Sequence, residues 1–388
     1  MPSRKTIAGW TAPEDFRQAA RRRLPKLFFD YLDGAAGAER TAADNIDDFD
    51  KIRFLPSVLQ PARPATLQTD FLGARHSLPL MLGPIGSLGM FRAQAELMAF
   101  RVAKRRGLQA CLSSFTITPP ERLSSELPAG AAFQLYVLKD FGRTRAMLER
   151  MRAAGFSTLV VTVDVPVSGI RERDIRNGLR QRKRLSPAQR LALAARPGWL
   201  LTMARAYPAR MALAEDWPEA GRRYLSQAAF LARQIDPELS WQTISRLRAL
   251  WPGWFVLKGI QRADDLGRAI ESGVDGVILS NHGGRQLDGC PSTISTLARM
   301  PTPPAGFDLI LDGGVRRGTD VVKAIALGAT ACALGRAYAY ALAAGGEAGL
   351  ERLLDGFAAE ISASLALLGV DSLDALRREG RSLVDIRC

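Results

Sequence analysis

The chain has 388 residues, 47% of them hydrophobic and 24% charged, and carries a formal net charge of +14. No run of about 18 apolar residues occurs, which excludes a membrane-spanning helix, and Cys111, Cys290, Cys332 and Cys388 stand too far apart for a zinc site or a disulfide framework. Scattered packing cysteines, with no apolar signal core in Met1–Trp10, predict a cytoplasmic protein whose positive surplus draws phosphorylated ligands, acidic lipid or nucleic acid.

In chain order, Glu14–Arg23 and Leu24–Asp33 have the spacing of two short helices ahead of the main fold. His76 follows in the turn Gly73–Ser77 and is expected at the surface. Eight short apolar runs then recur: Leu80–Pro84, Leu108–Ser113, Ala131–Tyr136, Thr158–Asp164, Trp254–Lys258, Asp275–Ser280, Asp308–Asp312 and Ala331–Gly335. Helical spacing fills the intervals, as in Ala93–Arg106, Arg143–Ala154, Ala263–Ser272 and Thr319–Leu327, and most of these segments stop at a glycine suited to a C-cap. Strand and helix alternating eight times predict an α/β fold closed as a (β/α)8 TIM barrel, with a doubly wound open sheet as the alternative. The run ends favour the barrel, because their polar and glycine residues would converge on one face.

The chain 1–388 therefore reads as one barrel domain with an N-terminal helical extension. The spacing breaks once, and 165–253 is predicted to be a long insertion after strand 4, over the catalytic face. Within it, about 176–214, no acid stands between Asp174 and Glu215, while Arg176, Arg180, Arg182, Lys183, Arg184, Arg190, Arg196, Arg205 and Arg210 do. They alternate with Leu191, Leu193, Trp199, Leu200, Leu201, Met203, Tyr207, Met211 and Leu213. Basic and apolar residues so mixed predict a segment that lies on anionic lipid, and the competing reading is a solvated lid packed on the barrel.

Only two histidines are available as a base near neutral pH. His282 stands just past the sixth strand in SNHGGRQLDG, Ser280–Gly289, with Arg285 three residues on. A base beside a guanidinium suits a substrate that bears a carboxylate and loses a proton next to it. The turns Asp312–Gly318 and Leu334–Arg336 follow strands seven and eight, the usual phosphate corner of such barrels, and Arg316 and Arg336 would neutralise the anion. No GxGxxG opens a βαβ unit, which disfavours a nicotinamide site. Lys258, ending the fifth strand, could form a Schiff base, stand against a ring that gains negative charge, or make only a structural ion pair. Asp164 could pair with a protonated His282.

The strings SNHGGRQLDG, LDGGVRRGTDVVKAIALGA (Leu311–Ala329), FQLYVLKD (Phe133–Asp140) and LPKLFFDY (Leu24–Tyr31) together resemble the FMN-dependent 2-hydroxy-acid oxidases and dehydrogenases, from about Glu14 to the C-terminus. Within that family, VTVDVPVSGIRERDIRN (Val161–Asn177) most resembles the (S)-mandelate dehydrogenase branch, beside the quinone- or cytochrome-linked L-lactate dehydrogenases. The resemblance implies that Tyr31, Tyr136, Arg171 and Arg285 hold the substrate, that His282 accepts its proton and that Asp164 partners His282. It implies that FMN lies along Pro84, Ile85 and Gly86, with Ser113, Gln134, Thr162, Lys258 and Ser280 at the ring. Asp312, Gly313, Gly314, Arg316, Gly335 and Arg336 would meet its ribityl phosphate. Ile85 stands where relatives often have threonine, and Phe115 where oxidases often have tryptophan.

The implied activity is oxidation of an L-2-hydroxy acid, mandelate-like or lactate-like, to the 2-keto acid. Electrons would pass through the flavin to a membrane quinone or O2, in a homotetramer peripheral to the cytoplasmic face of the inner membrane. Proton removal from carbon and hydride transfer need the same base. Two other readings are an FMN barrel isomerase of a phosphorylated substrate and a non-catalytic, basic, membrane-surface-binding barrel. Nucleic-acid binding is not expected, since no such motif accompanies the charge.

Overall fold

A computed structural model describes residues 2–61, 64–178, 186–204 and 209–386. Arg180, Arg182, Lys183, Arg184, Arg205 and Tyr207 of the basic segment, and Cys388, lie outside the described residues. Eight parallel strands close into a barrel: β1 (Leu80–Leu82), β2 (Gln109–Ser113), β3 (Ala132–Leu135), β4 (Thr158–Thr162), β5 (Trp254–Ile260), β6 (Gly276–Ser280), β7 (Asp308–Asp312) and β8 (Ala331–Leu334). All eight coincide with the apolar runs, and the closed ladder, in which β8 pairs with β1, rules out the open sheet.

Strand periodicity of two explains how the barrel carries a site. Inward positions read apolar, then polar, toward each C-terminal end: Cys111 then Ser113, Ala132 then Gln134, Val160 then Thr162, Val256 then Lys258, Ile278 then Ser280, Ile310 then Asp312. The lower members pack as one dry cluster with Met81, Ala333, Phe71 and Leu72. The upper members form a polar layer in register, with Ser113 opposite Gln134, Thr162 opposite Lys258, and Ser280 opposite Asp312. Outward neighbours such as Leu257, Leu279 and Leu311 are buried against the surrounding helices.

The N-terminal end of the barrel is plugged by a hairpin of Thr69–Phe71 and Ala74–His76. His76, expected at the surface, is 1% exposed. Its ring lies 4.1 Å from that of Phe71, because the hairpin turns inward to stop the barrel. The N-terminal helices, Pro13–Arg23 and Lys26–Asp33, reach the other end instead. Asp33 anchors them: it accepts from Arg17 Nε at 2.7 Å, Arg173 Nη1 at 2.9 Å and Tyr340 Oη at 2.6 Å. Burial alone would raise this carboxyl, but the two guanidiniums and the phenol hold it well below the usual range.

Between β4 and β5 the insertion includes the helices Pro187–Ala194, Pro197–Ala204, Tyr224–Gln234 and Trp241–Leu250. Trp199 docks it, stacking 5.1 Å from Phe28 and donating from Nε1 to Met90 O at 3.1 Å. Leu191, Leu200 and Leu201 stay exposed. No helix among the described residues is long and apolar enough to cross a membrane.

Candidate active site

His282 sits one residue beyond Asn281 at the top of β6, with φ +56° and its backbone N–H donated to Ser280 Oγ at 3.0 Å. Its Nδ1 lies 3.1 and 3.2 Å from the two Asp164 oxygens, and its Nε2 lies 3.4 Å from Tyr136 Oη. A carboxylate at Nδ1 selects the tautomer protonated there, which leaves the Nε2 lone pair toward Tyr136 and the cavity. Gly259 makes the pair possible, since a Cβ at its φ of +115° would stand 2.5 Å from Asp164 Cβ. Burial pushes the Tyr136 phenol well up, with the Asp164 charge adding to it, so the phenol stays a hydrogen-bond donor.

Two guanidiniums flank this pair. Arg285 and Arg171 lie with Cζ 5.0 and 5.9 Å from the Tyr31 ring centroid. Arg285 donates from Nη1 to Tyr31 O and Gly34 O, at 2.8 and 2.7 Å, so the catalytic loop also fixes the N-terminal helix. Arg171 Nε stands 2.8 Å from Asp174 Oδ2. Burial, then repulsion from Arg171, pulls the Arg285 pKa down to about 10, the signature of a cation short of an anionic partner.

The polar layer beneath is hydrogen-bonded in two arcs. Ser113 Oγ donates to Gln134 Oε1 at 3.0 Å, and Gln134 Nε2 donates to Thr162 Oγ1 at 2.9 Å. Lys258 Nζ lies 2.8 Å from Ser280 Oγ and 2.7 Å from Asp312 Oδ2, and Ser280 Oγ donates to Asp312 at 2.8 Å. Burial opposes the lysine charge, but Asp312 and Asp164 outweigh it and raise its pKa. Both readings of Lys258 meet here, since it is ion-paired and lines the cavity.

At the ends of β7 and β8 the chain offers a built anion corner. Among the described residues the Arg316 guanidinium donates to its neighbour's carbonyl, Val315 O, while its backbone N–H goes to Asp320, and burial lowers its pKa. Arg336 donates to Leu32 O, Gly283 O and Gly34 O, and among the described residues neither arginine forms an ion pair. Gly335 borders the cavity with no atom within 4 Å of where its Cβ would stand, so a side chain there would fill the cradle. Gly314 is required for a different reason: a Cβ at its φ of +77° would meet Asn45 O at 1.6 Å. Two guanidiniums without an ion pair among the described residues, the open glycine at 335 and a polar strand layer fit a phosphate-bearing ring cofactor such as FMN.

These groups share one cavity of about 460 Å³, which Tyr31, Tyr136, Arg171, His282, Arg285, Pro84, Ile85, Gly86 and the strand-end residues line together. One contributor carries no motif, the lid helix Tyr224–Gln234. Glu96 is buried outside this cavity's lining, where it accepts from Thr118 Oγ1 at 3.1 Å and Ile117 N at 3.5 Å. Burial pushes the Glu96 carboxyl up despite those bonds. Its place in the first turn of a helix is the one sequence signal it leaves.

Fold and site together define a (β/α)8-barrel enzyme with a histidine–carboxylate pair beside an arginine- and glycine-lined corner. The family model for FMN-dependent dehydrogenases matches residues 20–382, and the chain belongs to that family. Its cofactor is FMN. An L-lactate dehydrogenase of Caulobacter vibrioides is 42% identical over 361 residues, covering 92% of this chain and 93% of the relative. One of Alcaligenes faecalis is 39% identical over 377 residues, covering 94% and 97%. The crystal structure of the monotopic membrane protein (S)-mandelate dehydrogenase superposes with a TM-score of 0.91 at 36% identity, covering 97% of this chain and all of that one.

Proposed function

We propose that this enzyme oxidises an L-2-hydroxy acid to the 2-keto acid, with His282 as the base. The observation that carries the reading is the His282 imidazole, backed by Asp164 at 3.1 Å and facing Tyr136 Oη at 3.4 Å, beside the under-compensated Arg285 guanidinium and Arg171. Arg285 and Arg171 would grip the substrate carboxylate, and Tyr31 and Tyr136 would orient its hydroxyl. Nε2 of His282 would take the proton, and Asp164 would stabilise the imidazolium that results. FMN, when bound, supplies the two-electron oxidant. Pro84, Ile85 and Gly86 would lie along its ring, with Ser113, Gln134, Thr162, Lys258 and Ser280 at the polar edge. Asp312, Gly313, Gly314, Arg316, Gly335 and Arg336 would hold the ribityl phosphate.

The test is anaerobic bleaching of the flavin absorbance by 2-hydroxy acids. His282→Ala should retain flavin yet lose about 10²–10⁴-fold or more in the rate of reduction. A near-normal rate would refute the assignment of the base.

A second element of the reading is peripheral attachment to anionic lipid on the cytoplasmic face of the inner membrane, with a membrane quinone as electron acceptor. Leu191, Leu200 and Leu201 are exposed in the same segment as Arg190 and Arg196, and the mandelate dehydrogenase of similar structure is described as monotopic. Replacing the three leucines by serine should abolish co-flotation with anionic liposomes. Unchanged flotation would exclude this segment as the anchor. A homotetramer is the assembly proposed, to be checked by sedimentation.

A further inference from the structure

We propose that the part of the cavity beneath the lid helix Tyr224–Gln234 is a compartment for a substrate side chain larger than a methyl group, and that Ala228 and Ala232 set its depth. This rests on reading the cavity as a 2-hydroxy-acid site.

The helix lies across the barrel mouth. Tyr224 at its start lines the cavity together with Ser87, in the loop after β1. At its far end Ile235 bridges Leu138, while Lys139 N donates to Gln234 O at 2.8 Å and Asp236 N to Val137 O at 2.9 Å, in the loop after β3. Ahead of the helix the insertion is also tied to the loop after β2, where Ala212 N donates to Thr116 O at 3.0 Å. A helix so held has one face committed to the cavity. Ala228 and Ala232 follow Tyr224 at four-residue spacing and line it, while Gln227 and Leu231 are buried on another face, with Gln227 Oε1 accepting from Met211 N at 2.9 Å.

Ile85 and Phe115 line the same cavity, the latter edge-on to Tyr136 with ring centroids 5.5 Å apart. Ile85, Phe115, Leu225, Ala228 and Ala232 bring no charge and no side-chain hydrogen-bonding group. Tyr224 and Arg233 also line the cavity, near the two ends of the same helix, and the groups proposed to meet the carboxylate and hydroxyl gather elsewhere, on the loops after β3, β4 and β6 and on the N-terminal helix. A hydroxy acid whose carboxylate meets Arg171 and Arg285 and whose hydroxyl meets His282 must turn its third substituent away from those loops, toward the apolar wall. A methyl group would leave that wall uncontacted, whereas an aryl or long alkyl group would fill it. Alanine at both helix positions keeps the space open, and a leucine at either would occupy it.

One methylene in an apolar pocket is worth roughly 10–200-fold in kcat/KM, so the wild-type enzyme should prefer (S)-mandelate and L-2-hydroxyoctanoate to L-lactate by more than about 10-fold. Ala228→Leu and Ala232→Leu should each cut the mandelate-to-lactate ratio of kcat/KM by about 10-fold or more, and Ala228→Gly should not. The ratio is insensitive to the fraction of protein folded. A wild-type enzyme with no preference, or leucine variants with an unchanged ratio, would overturn the proposal. Binding of phenylglyoxylate and pyruvate to the flavin-loaded enzyme, read from the flavin spectrum, separates this from the reading beneath it. If no hydroxy acid bleaches the flavin but phenylglyoxylate binds more tightly than pyruvate and loses that advantage in Ala228→Leu, the oxidation reading fails and the compartment stands. Equal binding of the two keto acids would overturn the compartment.

Discussion

The two histidines of this protein lie at opposite ends of the same barrel, and their surroundings differ in one decisive respect. His76, in the plug, is 1% exposed, stacks on Phe71, and has no hydrogen-bond partner for Nε2. Burial lowers its pKa, so it sits neutral as a packing group. His282, at the mouth, is less buried but has a carboxylate at Nδ1, a phenol at Nε2 and a cavity in front. Burial by itself makes an imidazole inert; a fixed counter-charge on one nitrogen and open space on the other let it accept a proton.

The contrast can be broken most severely by Asp164→Asn. An amide can present the wrong partner to Nδ1 and carries no charge to balance an imidazolium, so flavin reduction should fall about 10²–10⁴-fold with flavin still bound. If stopped-flow traces show less than a tenfold loss, the carboxylate does not distinguish the two histidines. Lys258→Met asks whether charges in the mouth depend on pairing as His282 does. It leaves Asp312 buried without its cation, and urea unfolding should show a loss of about 3–5 kcal/mol. A loss below about 1 kcal/mol would mean that Asp312 finds another partner or protonates at little cost.

The smallest effect expected is at the plug. His76→Leu should cost no more than about 1.5 kcal/mol at neutral pH, as a swap of similar volume in an apolar plug, without slowing flavin reduction. The sign of its pH effect is fixed by linkage. With the folded pKa below the ordinary value of 6.5, the unfolded chain binds the proton first as pH falls. Stability from this group is therefore full above about 6.5 and declines below it, and the leucine variant should flatten that acid-side decline. An unchanged slope in denaturation midpoints between about pH 7 and 5 would show that His76 is not the group responsible.

The eight strands were legible because a barrel strand is a short apolar run ending in a polar residue, and each run stood alone between helical segments. His282 with Arg285 was legible for a similar reason, since the residues lie three apart in one glycine-rich loop. Asp164, 118 positions from His282, could be suggested as its partner because both end strands of one barrel, whereas Tyr136, 146 positions away, was placed in the site only through the family resemblance, because no local pattern records a distance between loops. His76 shows the converse: a turn-like string was taken for surface, and the hairpin folds it into the barrel.

The sequence by itself determined which residues face inward on each strand, since alternation is a local property of extended backbone. It also determined that the chain belongs among flavin barrels, through strings of adjacent residues. Only the tertiary structure decided which charges are compensated, that among the described residues the Arg316 and Arg336 guanidiniums form no ion pair while Lys258 does, and that Ala228 and Ala232 line the cavity. Compensation and enclosure depend on distances between segments far apart in the chain, and those are fixed only when the barrel closes and the lid helix is tied across it.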